Sequence, residues 1–225
     1  TLDESYNSGA IAGFGPNDEV TSISVDASGK VLIAGQFTAY NDGTQTFPRA
    51  QMMRLNADMS VDTSFDPGKG AATTSGSPIA TIVEQADGKI LIGGEFQQFQ
   101  DTAIGRITRL NVDGSLDTSF NPGGQGLSSG NIREIELLPD GRIVAVGNIP
   151  SYNGQSAGNI ILLSPSGVMD TSFAPNVSAQ IRCVERQGDG KYLIVGDFRT
   201  VGTSARPAAA RLNANGTVDL TFNPG

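Results

Sequence analysis

The chain has no histidine, no tryptophan and a single cysteine among its 225 residues. Without histidine, serine and cysteine nucleophiles lose their usual base, and the ligand sets of zinc, copper and haem are out of reach. One cysteine, Cys183, allows no intrachain disulfide, and its place in an apolar strand pattern predicts a small buried hydrophobe. Cationic residues are also few: 15 Lys and Arg stand against 23 Asp and Glu, a net charge of −8. That balance argues against a nucleic-acid partner and against attraction to anionic lipid. No apolar run approaches the roughly 18 residues of a membrane-crossing helix, so no membrane insertion is expected. The chain opens on Thr1 with no leader pattern, and we read it as a mature or excised segment of something longer.

What is abundant is glycine, 29 residues, beside only 17% charged residues. This is the composition of a turn-rich all-β protein. Its organisation is a repeat. The phrase Val61-Asp62-Thr63-Ser64-Phe65 returns as Leu116 to Phe120, Met169 to Phe173 and Val218 to Phe222. An extra copy opens the chain at Leu2-Asp3-Glu4-Ser5-Tyr6. A second phrase keeps phase with it: Ser28-Gly29-Lys30, Asp87-Gly88-Lys89, Asp140-Gly141-Arg142 and Asp189-Gly190-Lys191, each followed by an apolar run. A third, Arg-Leu-Asn, begins at Arg54, Arg109 and Arg211, and Leu162-Leu163-Ser164 fills that slot in the third unit. The units run approximately 7–65, 66–120, 121–173 and 174–225, with the additional copy at 2–6.

Each unit reads as four short strands. The Asp-Gly and Ser-Gly pairs predict tight hairpins with primed turns. Continuous runs such as Ile90-Leu91-Ile92 predict strands buried on both faces. Four strands in about 50 to 60 residues is the size of a propeller blade. The expected fold is all-β, a β-propeller of four tandem four-stranded blades, closed as a four-bladed ring or forming part of a larger propeller. The surplus phrase at 2–6 favours the larger array.

The stretch Asp87 to Phe96 and the stretch Arg109 to Phe120 resemble the bacterial delta-60 type β-propeller repeat. The third unit departs most, with Leu162 for the arginine and Asn148-Ile149 where the others place phenylalanine. The resemblance implies large secreted or cell-surface bacterial proteins, or phage structural proteins and thus a virion appendage, and it implies no catalytic motif.

The residues themselves point the same way. Asn111-Val112-Asp113-Gly114 and Asp140-Gly141 read as turns rather than as calcium ligands, and no cofactor is called for. The Gly-rich stretch Pro122 to Gly126 lacks the lysine and helix of a phosphate loop and reads as a linker. Asn176-Val177-Ser178 and Asn215-Gly216-Thr217 fit the glycosylation triplet, which chance also supplies. The recurring Asp62, Asp117, Asp170 and Asp219 are expected to serve structure, beside the recurring arginines. Glu95 and Glu134 have no evident carboxylate partner for glycosidase chemistry. Variation concentrates in the segments 38–48, 97–105, 151–158 and 199–207, which carry Tyr40, Phe47, Phe99 and Tyr152 amid amides. Exposed rings beside amides suit a glycan or protein surface. The expectation is a non-catalytic binding or adhesion module with Tyr40, Phe47, Phe99 and Tyr152 as ligand contacts and with neighbouring domains of a longer chain as further partners. A structural spacer is the alternative, and a carbohydrate-active enzyme ranks below both.

Overall fold

The computed structural model of the chain describes residues 15–72 and 79–224. The phrase at 2–6 lies outside them. The described residues are all-β and contain no helix. Four antiparallel three-stranded sheets follow one another along the chain. Blade one is Val20–Val25, Val31–Gly35 and Met52–Leu55. Blade two is Ile79–Glu84, Ile90–Gly94 and Ile107–Leu110. Blade three is Asn131–Leu137, Ile143–Asn148 and Ile160–Leu163, and blade four is Ile181–Arg186, Tyr192–Gly196 and Ala209–Leu212. The fourth strand of each blade touches its sheet through a single bridge: Leu55 to Val61, Leu110 to Leu116, Leu163 to Met169 and Leu212 to Val218. The reason lies in the phrase itself. Asp62 Oδ1 accepts from Ser64 N (3.0 Å) and Ser64 Oγ (2.5 Å), and this side-chain turn bends the chain away from the sheet.

The hairpin glycines adopt the predicted left-handed conformation, with φ of 83°, 79°, 82° and 84° at Gly29, Gly88, Gly141 and Gly190. The turn type differs from the expected two-residue primed turn. Gly88 N donates to Gln85 O while Gln85 N donates to Lys89 O, so the loop has three residues, a type I turn closed by a glycine bulge. Both turns need a positive φ, which is why the dipeptide alone does not separate them.

The core lies between blades. Leu32 and Ala34 of blade one pack with Ile82, Ile90 and Ile92 of blade two. Leu91 of blade two packs with Ile135, Ile143 and Ala145 of blade three, and Val144 and Val146 of blade three with Val184, Tyr192 and Ile194 of blade four. Alternate residues of each middle strand therefore serve opposite neighbours, which explains the unbroken apolar runs. First strands are sheet edges, and side chains of the preceding blade satisfy part of their outward backbone. Ile82 N donates to Ser22 Oγ (3.0 Å), Val184 N to Glu134 Oε2 (2.8 Å) and Arg186 N to Glu136 Oε1 (3.1 Å).

Candidate functional site

Four residues build the corner of blades one, two and four. In blade two, Arg109 Nε donates to Asp117 Oδ2 at 2.7 Å and Lys89 Nζ donates to the same oxygen at 2.8 Å. The guanidinium lies over Phe120, 5.2 Å from its centroid. Its Nη1 crosses to blade three and donates to Pro165 O at 2.7 Å. Blade one repeats the set with Lys30, Asp62, Arg54 and Phe65, and Arg54 Nη1 reaches Val112 O of blade two at 2.9 Å. Burial alone would raise the Asp62 and Asp117 carboxyls. The lysine, serine and arginine donors outweigh it and hold both well below the usual carboxylate range. Asp219 is lowered likewise by Lys191, Thr221 and Arg211. These recurring charges are internal ties, each with its partners supplied. Blade three, with Leu162 for the arginine, sets Phe173 edge-on to Tyr192 instead, ring centroids 5.9 Å apart.

The four rings expected to face a ligand divide. Phe99 and Tyr152 are fully buried and Tyr40 is 6% exposed, so the expectation of exposed platforms is corrected for these three. Each sits in a small hairpin between the second and third strands and pins it to the blade. Tyr152 adds a hydrogen bond from its hydroxyl to Gly167 O at 2.7 Å. A ring with no free face cannot stack on a sugar. Phe47 alone remains accessible, half-buried under the Arg49 guanidinium at 5.4 Å. A signal for this was present: Tyr40, Phe99, Tyr152 and Val201 each stand five residues after the glycine closing the second strand, and a position repeated in register belongs to the core.

Cys183 also departs from expectation. It is exposed, on the outer side of the first strand of blade four. Partial burial, then the neighbouring Glu134, push its thiol up to about 11, so at neutral pH it stays a thiol. Glu134 holds Val184 N, while Glu95 accepts from Asn131 at 3.4 Å and faces Arg133 at 3.9 Å.

The open concavities lie on the rim, beside the small hairpins. One groove of about 370 Å³ is lined by Asn121, Pro122, Gly123, Gly124, Tyr152, Asn153, Gln155, Val168, Met169 and Thr171. Its equivalent one blade later, about 360 Å³, is lined by residues that include Asn176, Thr203, Ser204, Asn215 and Thr217. Both linings are free of charged side chains and rich in amides, hydroxyls and glycine. Some of the amides are already engaged: Asn153 Nδ2 donates to Asn121 Oδ1 at 2.7 Å, and Gly126 N donates to Asn153 Oδ1 at 2.8 Å. Gln155, Thr171 and Thr203 are exposed. Sequence reasoning named 151–158 and 199–207, which hold Asn153, Gln155 and Thr203, but assigned 122–126 to a linker, because nothing local shows that a linker and a hairpin about 30 residues later form one wall.

A beta-propeller family model, described as a domain of unknown function (DUF5122), matches residues 27–65, 85–120, 138–173 and 187–222. The chain belongs to this DUF5122 beta-propeller family. Each match runs from the hairpin glycine phrase to the corner phenylalanine, so the family's unit is the corner and the strands it ties. The comparison with curated proteins gave no match. Among solved structures, the extracellular domain of a hybrid two-component system from B. thetaiotaomicron is similar at 16% identity and a TM-score of 0.51, over 93% of this chain and 25% of that one. PorZ, a surface component of the type-IX secretion system of Porphyromonas gingivalis, aligns at 17% identity and a TM-score of 0.46, over 92% of this chain and 27% of that one. A Bacteroides caccae protein of unknown function aligns at 13% identity and a TM-score of 0.46, over 89% and 80%. The DUF5122 chain thus spans about a quarter of the first two, and at these identities the likeness is one of fold.

Proposed function

We propose that this DUF5122 propeller is a non-catalytic binding module of a secreted or cell-surface bacterial protein, and that it takes a glycan through its rim grooves. The observation that carries this is the repeated, uncharged, amide- and hydroxyl-lined groove at blades three and four. Such a surface matches the hydroxyls of a neutral sugar and supplies no acid–base pair. Phe47 is the one predicted ring left to contribute a stacking face. The extracellular setting of the structurally similar two-component-system domain supports the location.

The test is a glycan array read with the wild-type chain and with Gln155→Ala combined with Thr203→Ala. Expected is a defined set of neutral glycans retained by the wild type and lost by the double variant at unchanged melting temperature. An array without retained glycans, or cleavage of a retained one, overturns the reading.

A further inference from the structure

The two grooves at blades three and four are members of a longer row. A cavity of about 160 Å³ in blade two lies between the hairpin strand Thr102–Ala103 and the outer phrase at 116–120. Its equivalent in blade three, about 230 Å³, lies between Gln155–Ser156 and the phrase at 169–173. Position for position, Thr102, Leu116 and Thr118 stand in the first where Gln155, Met169 and Thr171 stand in the second. These cavities sit inside a blade, whereas the two larger grooves sit between a linker and the hairpin of the following blade.

The concavities share walls in order. Pro122, Gly123 and Gly124 border both the blade-two cavity and the first groove. Gln155, Met169 and Thr171 border that groove and the blade-three cavity. Ala174 and Asn176 border the blade-three cavity and the second groove. Two kinds of concavity thus alternate along the rim with the period of the blades. The fold holds the walls in place. Phe99, Tyr152 and Val201 are fully buried and anchor the three hairpins, and Asn153 ties its hairpin to Asn121 and Gly126. A surface preset in this way avoids an ordering cost on binding. The carboxylates among these linings, Asp117 and Asp170, each accept from the serine of their own turn, Ser119 and Ser172.

Shared walls decide the shape of ligand that fits. Separate small molecules in adjoining concavities would compete for the same residues, whereas one extended chain meets each wall once. A surface that repeats along one direction matches a molecule that repeats along one direction. Resting on the glycan reading above, we propose that the ligand is a linear neutral polysaccharide, gripped along its length by the row from blade two to blade four. A terminal sugar held in a single groove would leave the rest of the row unused.

Calorimetric titration with ladders of linear gluco-, manno- and xylo-oligosaccharides, from the disaccharide upward, tests this. In the ladder that binds, affinity is expected to rise with length to about a hundredfold above the disaccharide, because each added unit binds intramolecularly. Thr118 is exposed and lines the blade-two cavity but neither larger groove. Thr118→Trp is expected to leave the disaccharide's affinity and the melting temperature level, and to cut the gain with length about tenfold. Thr102→Trp, on the exposed facing hairpin, is expected to do the same. An affinity independent of length, or a gain indifferent to both tryptophans in folded variants, overturns the polysaccharide and leaves the glycan reading standing. So do glycans retained on the array with no ladder bound, whereas an array that retains none removes both. The length series uses the wild type alone, so it decides even where a tryptophan unfolds the chain.

Discussion

Removing the corner arginine tests the energetics of the fold, because the same substitution meets two environments. Arg109 is 8% exposed, binds Asp117, lies over Phe120 and crosses to Pro165 O. Breaking a buried ion pair costs about 3–5 kcal/mol. Here Lys89 stays on Asp117 and keeps part of its charge compensated, so Arg109→Ala is expected near the low end, about 3 kcal/mol. Arg211 makes the same contacts inside its own blade, but among the described residues its Nη1 meets no carbonyl of another blade. Arg211→Ala is therefore expected to lose about 2 kcal/mol less, the worth of one buried hydrogen bond to a charged group. For a chain of this length about 1 kcal/mol moves the melting temperature by about 2–4 °C, so the two variants differ by several degrees. Urea titrations and thermal scans on dilute samples give the comparison. Equal losses at the two positions would refute the claim that the cross-blade bond adds to what the ion pair contributes at the corner.

Further outcomes follow from single residues. Asp62, Asp117 and Asp219 are held below their unfolded values, so their contribution is complete above the unfolded range near 4 and is lost as pH falls through the folded values; the urea midpoint should be level from about pH 7 to 5 and fall below about 4. Glu84 and Glu136, raised by burial, act weakly the other way. Ala208 is exposed at φ 64°, a conformation costing an L-residue about 1 kcal/mol, so Ala208→Gly should raise the melting temperature or leave it level, and a fall would show an unseen packing role. Tyr152→Phe removes the bond to Gly167 O inside a buried contact and should cost about 1 kcal/mol in urea. Cys183, with its thiol near 11, should label slowly with iodoacetamide at pH 8 and faster in urea.

The blades were legible because three phrases keep one phase through four units, and each phrase has a local physical job. Asp-Gly-Lys turns the chain, the apolar run fills two interfaces, and Arg with Asp ties the corner. The turn type was not legible, since Gly88 serves a type I turn with a bulge as well as it serves a primed turn. The loop rings were misread because Tyr40, Phe99 and Tyr152 look variable in identity while their position is constant. Cys183 was misread because period-two burial assumes a neighbour on both sides, and among the described residues blade four has one only before it. The rim grooves were invisible for a different reason: Asn121 and Asn153 meet across 32 residues, and their contact depends on how two blades stack.

The acceptor of the cross-blade bond is a main-chain carbonyl, and this bears on how such arrays diverge after duplication. A side-chain partner would have to be copied and then kept. A carbonyl comes with any residue, so the acceptor position is free to drift, and in this chain it holds Ala57, Val112, Pro165 and Ala214. Only the donor is constrained. Where the donor itself was replaced, at Leu162, the next acceptor could lose its bond without leaving a charge stranded. Copies can thus be added or altered one at a time, each new unit finding its docking point already present in the backbone of its neighbour.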